Sequence, residues 1–228
     1  LQAQWMLEYA VQFGLHVPAL ASLSLPVMLG GTSNHFRRQD LIAFGGWDAW
    51  NVTEDADLGI RIARLGGRTA TIRAGTRETA PESLPIWTSQ RSRWIKGFVQ
   101  TWLVCMRTPV TLLLELGLLR WTSLQLTLGG AIVSAFLYGP MVLMILLGTL
   151  FPSFFNYTPV DFGLFMAGMT GCVVADCLAP GKWTVSRVIA IITRPFYWPL
   201  LTAAAVKAVI GLVLRPFYWA KTPHIPSA

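Results

Sequence analysis

Residues 132–151 run for 20 positions without a charged side chain, enough for one helix to cross roughly 30 Å of hydrocarbon. A second apolar run covers residues 160–178, with Asp176 near its end, and a third covers residues 185–214. A stretch this long with so few charges predicts helices that lie in or on a membrane. Composition agrees, because 54% of residues are hydrophobic and 13% charged, against roughly 45–50% and about 25% in soluble domains. The net charge of +7 is spread along the chain with no Lys/Arg-rich run, which argues against nucleic acid as a partner and favours anionic lipid headgroups and a phosphorylated small substrate. Cys105, Cys172 and Cys177 show neither CxxC nor Cys/His ligand spacing, so they are read as buried apolar residues rather than a disulfide framework or a zinc site.

Basic residues give the topology. The loop 152–160 holds no Lys or Arg, whereas Lys96, Arg107 and Arg120 precede the apolar hairpin and Lys182, Arg187 and Arg194 follow it. The positive-inside rule then places the loop outside and both flanks in the cytoplasm, a multi-pass protein of the inner membrane with its polar part cytoplasmic. RPFYW occurs at residues 194–198 and again at 215–219, an offset of 21 residues, or about 31 Å of helix. That spacing fits two aromatic belts of a third span. Parity and Lys207 in the middle of the segment favour an interfacial helix instead. The expected order is an interfacial helix at about 110–130, spans at 132–151 and 160–178, and an interfacial helix at 185–214.

Residues 1–108 mix helical and strand patterns, the α/β part of the chain. Residues 4–20 read as an amphipathic helix ending near Pro18, residues 26–37 as a strand with Gly30 and Gly31, and residues 38–44 as a short helix closed by Gly45 and Gly46. In the run NVTEDADLG at 51–59, Thr53 is an N-cap candidate and Gly66 with Gly67 a stop. Asp55, Leu58, Ile62 and Leu65 fall on one stripe, and Glu54, Asp57, Arg61 and Arg64 on another. An aspartate at a helix start complements the dipole, but capping does not require one in line with the core stripe. Asp55 is therefore a candidate for chemistry, with Glu54 and Asp57 suited to capping or to pairing with Arg61.

A second helix is expected over 84–106, begun by Ser83 and Pro85, and it places Gln90, Arg93, Trp94 and Gly97 on one face. An indole stacks on the apolar face of a pyranose, Gln and Arg bond hydroxyls or phosphate oxygens, and glycine leaves room for close approach. The same residues also fit a lipid-facing tryptophan with interface arginines. The chain opens on Leu1 with no signal peptide visible, so an upstream portion is expected.

With TED at 53–55, QRSRW at 90–94 and apolar helices in that order, the chain resembles the carboxyl-side part of the processive, membrane-integrated family 2 glycosyltransferases, the group of cellulose synthases and hyaluronan synthases. GGTSNHFRR at 30–38 is similar to that family's Gly-Ser/Thr-Asn segment beside the acceptor, and WAKTPH at 219–224 to a gating loop. The resemblance implies the C-terminal part of a GT-A-type domain over 1–108 and a membrane region over 109–228 that ends in a gating-like loop at 215–225. It implies inverting transfer from a nucleotide sugar, a UDP-sugar, to a growing polysaccharide. Asp55 would be the general base, and Glu54, Ser33, Asn34, Gln90, Arg93 and Trp94 would bind substrate. Lys221, Thr222 and His224 would belong to the gating-like loop. Mg2+ or Mn2+ is implied through a DxD motif that this sequence lacks; Asp55-Ala-Asp57 has that spelling but lies inside the TED helix and is not assigned to metal. Membrane lipid and an export partner protein are further implied partners. With the donor half absent, these 228 residues alone are expected to be inactive. The alternative is a non-catalytic scaffold or receptor that keeps the fold. A transporter would need polar residues within its spans, and only Asp176 and Lys207 qualify.

Overall fold

The computed structural model describes residues 1–72, 74–76, 78–154, 157–216 and 218. Lys221, Thr222 and His224 lie outside the described residues. The chain begins with α1 (Gln2–Val11), a π turn (Gln12–His16) and α2 (Val17–Ser22), which follow one another without a break. The first helix therefore does not stop at Pro18. Proline falls in the first turn of α2, where its missing N–H costs no intrahelical bond. Gly14 in the π turn lies against Pro180, and a Cβ there would meet the proline ring at 2.3 Å.

Residues 26–37 do not form the expected strand, and no strand occurs among the described residues. A strand needs a neighbour for its ladder bonds, and this segment packs on a helix instead. Its Val27 is buried against α4 (Glu54–Arg64), where Gly59 removes the obstacle: a Cβ at 59 would lie 2.1 Å from the Val27 carbonyl oxygen. A short helix, α3 (Arg38–Ala43), ends at Gly45 and Gly46, both at positive φ. Arg61 Nη1 donates to the carbonyls of Phe44 and Gly46 at 3.1 and 2.8 Å and so ties that turn to α4.

The start of α4 differs from expectation in one respect. Thr53 does not cap it with its side chain; Asn51 Oδ1 accepts the Thr53 N–H at 3.0 Å, and three acids in the first turn meet the positive end of the dipole. The stop is as expected: Gly66 takes φ +79, and Gly67 N–H reaches the Ile62 carbonyl at 2.8 Å, a Schellman ending. Leu58 and Ile62 are buried together with Ala56, Ile60 and Ala63, but Leu65 is exposed because the chain leaves the helical path at that residue.

The next helix, α5 (Leu84–Cys105), leads to α6 (Pro109–Leu124), a second π turn (Gln125–Gly129) and α7 (Gly130–Leu150). The expected interfacial helix over 110–130 is shorter than that. Gly117, at φ 73 and ψ 164, breaks α6 after its second turn, a conformation open to glycine and strained for other residues. From residue 118 helix continues to 150, about 50 Å. Inside α7, Pro140 removes one ladder bond, and the Thr202 hydroxyl bridges the neighbouring pair by accepting from Gly139 N–H at 3.2 Å and donating to the Ala135 carbonyl at 2.8 Å.

After α8 (Pro159–Leu178), opened by a Thr158/Asp161 capping box, the expected single helix over 185–214 is two: α9 (Val185–Ile192) and α10 (Arg194–Leu214). Pro195 begins a new helix, and the chain turns at Thr193. Three helical stretches, Pro109–Leu150, Pro159–Leu178 and Arg194–Leu214, are long and apolar enough to cross a membrane. Their outer faces carry exposed Leu118, Leu126, Leu137, Leu143 and Leu164. Cys105 is buried, but Cys172 is only half-buried and Cys177 is exposed on the outer face of α8.

The junction of α8, α9 and α10 is held by buried charge. Asp176 and Arg194 are 1% and 6% exposed and form a two-point ion pair, with Nε to Oδ2 at 3.0 Å. Arg187 donates to the carbonyls of Asp176, Ala179 and Gly181 at 2.5, 2.7 and 3.2 Å. Asp176 is thus consumed in structure, which counts against a transport path through it. Removing one partner strands the other charge in a low dielectric, so Asp176→Ala is expected to destabilise the membrane region by about 3–5 kcal/mol. Asp176→Leu combined with Arg194→Met recovers most of the loss, as checked by heat-induced unfolding in detergent.

Candidate active site

The two sequence motifs meet where α4 begins and α5 passes. Gly97 lies under Thr53, and a Cβ at 97 would fall 2.2 Å from Thr53 Oγ1 and 2.5 Å from its Cγ2. One turn further on, Asn51 Nδ2 donates to Thr101 Oγ1 at 2.8 Å, and Thr101 is fully buried. Gly97 therefore serves the approach of the TED segment rather than of a ligand. This contact brings the first turn of α4 beside the Arg93 face of α5.

Asp55 is half-buried at that first turn. Its Oδ1 accepts the Ala56 N–H at 2.8 Å, and its Oδ2 faces Gly31, where a Cβ would lie 3.3 Å away. Burial pushes its pKa above the ordinary aspartate value; the Ala56 N–H opposes this, the Glu54 charge adds to it, and the Arg93 guanidinium pulls it back. Burial thus outweighs the backbone hydrogen bonds that favour the ionised carboxylate at the start of α4. Arg93 is itself partly desolvated, which lowers its pKa against the supporting charges of Asp55 and Glu54. Glu54 stands exposed at the outer edge.

The turn over residues 30–34 forms one wall. Asn34 Nδ2 donates to the Gly30 carbonyl at 2.5 Å, Ser33 Oγ lies 2.6 Å from Thr76 Oγ1, and Thr32 Oγ1 donates to Glu78 at 2.6 Å. Ser33 has φ +58. Ser33 and Asn34 thus shape the turn, and the backbone at Gly31 faces Asp55.

On α5, Arg91 sits between two indoles, 5.7 Å from the Trp87 ring and 4.7 Å from the Trp94 ring, and donates to Glu8 at 2.5 Å. The Tyr197 hydroxyl donates to the same carboxylate at 2.9 Å and accepts from Trp87 Nε1 at 2.9 Å. This chain of bonds locks α1, α5 and α10 together. Trp94 is half-buried and lines a cavity of about 260 Å³ together with Arg91, Tyr138, Cys172 and Trp198. The cavity leads from the site helix between α7, α8 and α10. Gln90 Oε1 is buried with no hydrogen-bond partner among the described residues, an acceptor available to a ligand.

Sequence reasoning missed Arg91, Glu8 and Tyr197. Arg91 lies inside QRSRW and was legible there; Glu8 and Tyr197 are 83 and 110 or more residues from their partners on α5, and no local pattern marks them. Asp57 pairs with Arg61 at 2.5 Å, on a different side of α4 from Asp55. The two aspartates do not converge, and no group of three His, Cys, Asp or Glu among the described residues is placed to hold a metal ion. These residues do not fit a divalent cation. A larger cleft of about 460 Å³, lined by Trp47, Trp50, Arg61 and Arg64, lies along the opposite side of α4 and holds none of the expected site residues.

Residues 4–156, which contain Asp55, Gln90, Arg93 and Trp94, match the family described as Glycosyl transferase family group 2. The chain belongs to that family. A 68-residue stretch is also 38% identical to the protein named Probable glycosyltransferase YdaM of Bacillus subtilis (strain 168), covering 29% of this chain and 16% of that protein. No solved structure matches.

The Thr53–Gly97 contact leaves no room for a methyl group between α4 and α5. Gly97→Ala is expected to cost about 1–3 kcal/mol and to lower transfer by more than the loss of folded protein explains, checked by thermal unfolding alongside activity per folded molecule.

Proposed function

We propose that this group 2 glycosyl transferase carries the acceptor side of an inverting transfer from a nucleotide sugar to a growing polysaccharide at the membrane, with Asp55 as general base. The observation that carries the reading is the partly desolvated Asp55 carboxylate at the start of α4, with its Oδ2 toward the backbone at Gly31 and Arg93 in electrostatic contact. A base must be ionised and still hold a proton well enough to take one, and a pKa raised by burial moves an aspartate in that direction. The acceptor hydroxyl oxygen bonds to the anomeric carbon while its proton passes to Asp55. The bond from that carbon to the diphosphate oxygen breaks on the opposite face, the nucleoside diphosphate leaves, and the configuration inverts. Arg93 stabilises charge beside the reacting atoms, Gln90 Oε1 accepts from an acceptor hydroxyl, and Trp94 presents an indole to the sugar ring.

A polysaccharide acceptor is supported by the cavity behind Trp94, whose walls include Tyr138 and Trp198; rings that stack on sugars suit a chain passing from the site toward the membrane. The orientation follows from the basic flanks, with the loop 152–160 outside and the site cytoplasmic. α10 lies on the membrane in this reading, because Tyr197 and Arg215 at its two ends both bond to α5, and Lys207 is exposed. The resemblance to cellulose and hyaluronan synthases points to a UDP-sugar, and any Mg2+ or Mn2+ that assists diphosphate loss would be ligated by residues other than those described.

The test uses membranes carrying the protein in its complete reading frame, supplied with Mg2+ and a panel of UDP-sugars. Asp55→Asn is expected to lower sugar incorporation by a factor of about 10²–10⁴. Its folded-state pKa is raised, so the ionised carboxylate costs stability above that pKa, and Asp55→Asn leaves thermal stability at neutral pH unchanged or higher. Full activity in Asp55→Asn, or no sugar used by the parent, would favour the non-catalytic scaffold.

A further inference from the structure

Lys96 is 6% exposed, and no carboxylate pairs with it among the described residues. It lies on α5 three residues beyond Arg93 and two beyond Trp94. Its ammonium donates to the Arg215 carbonyl at 2.7 Å and the Tyr218 carbonyl at 3.1 Å. Tyr218 N–H also reaches the Arg215 carbonyl, at 3.1 Å, so the chain makes a turn on leaving α10. Gln100, one turn along the same stripe of α5, donates to the Pro216 carbonyl at 3.3 Å. Arg215 is the C-cap of α10. The last carbonyls of a helix lack intrahelical donors and form the negative end of its dipole. From a different helix, Lys96 supplies a donor to one of these carbonyls, that of Arg215, together with a positive charge at the helix end and a second bond to the Tyr218 carbonyl just beyond it. Desolvation lowers its pKa, the expected cost of that position.

We propose that Lys96 is a positioning residue for the transfer: by capping the C-terminus of α10 in trans, with Gln100 as a second point of attachment, it seats the chain leaving α10 on the site helix and fixes the Arg93/Trp94 face. The proposal rests on the acceptor-side reading above. Trp87 and Tyr197 hold one end of the α5–α10 pair, and Lys96 holds the other. With both ends fixed, α5 cannot slide or rotate against α10. Transfer geometry tolerates little displacement, so loosening one end lowers the turnover of a folded enzyme rather than its amount.

The experiment compares the parent, Lys96→Met, Lys96→Arg and Gln100→Leu in the same complete reading frame as the Asp55 test, in membranes or detergent. It reads hydrogen exchange of the peptide spanning residues 212–219 and kcat per folded molecule. In Lys96→Met, exchange after α10 is expected to rise about tenfold and kcat to fall about tenfold, with KM for the sugar donor changed less. Lys96→Arg, which keeps charge and donors, recovers part of both. Gln100→Leu shows a smaller change in the same direction, and it decides the case if Lys96→Met does not fold. Unchanged exchange overturns the seating of the segment, and raised exchange with unchanged kcat overturns the positioning role. If the parent transfers no sugar, the transferase reading fails separately, and with it the positioning role, while exchange still tests the cap.

Discussion

The approach of Thr53 to Gly97 is the constraint on which the rest of the site depends. Two helices can share a site only if their backbones come close enough for short side chains to reach one space. Here the reach is short: Asp55 extends by one methylene from α4. With Gly97 on α5 and Gly59 on the far side of α4, that helix is pressed between the site helix and the extended segment at Val27. Close backbone approach on both flanks fixes the direction in which the carboxylate points. It also leaves the carboxylate half-buried, and the raised pKa of Asp55 follows from that partial desolvation.

A second layer of control comes from half-buried charges beside the aromatic face of α5. Glu8 accepts from both Arg91 and Tyr197, and Arg91 stacks on Trp87 and Trp94. A carboxylate with several donors is stable where a lone one would not be. The network therefore holds the indole of Trp94 in a fixed orientation at the mouth of the cavity. The same device recurs at Asp176, Arg187 and Arg194, where it holds the turn between α8 and α10. Polar networks fasten the helix packing here, and the long helices keep apolar residues on their exposed faces.

What the sequence showed and what it hid divide along physical lines. The length of the uncharged runs located the apolar helices, and periodicity located α4 and α5, because an amphipathic helix declares itself through neighbours three and four residues away. The Schellman ending at Gly66 and Gly67 was legible for the same reason. The break at Gly117 was missed because an isolated glycine in an apolar run gives no sign of its φ. The strand expected over 26–37 failed because extended backbone becomes a strand only beside a partner, and pairing is a nonlocal fact. Asp55 stood out by its place on the core stripe, and Gln90, Arg93 and Trp94 by their shared face. Glu8, Tyr197 and the bond from Lys96 to the chain after α10 connect residues more than 80 positions apart, so no local pattern could reveal them. Family membership rests on residues 4–156, which include both motifs and the first long apolar helix.

The electrostatic coupling of Asp55 to Arg93 is the most direct test of a general base placed on the α4–α5 contact. The measurement is the pH dependence of kcat/KM for sugar transfer, in the parent and in Arg93→Gln. Because burial raises the Asp55 pKa, the parent's acid limb is expected above the ordinary aspartate range. Because the Arg93 charge pulls that pKa down, removing it is expected to move the limb to still higher pH, whatever it does to the maximum rate. An acid limb that stays in place when Arg93 loses its charge would contradict the assignment of Asp55 as the base.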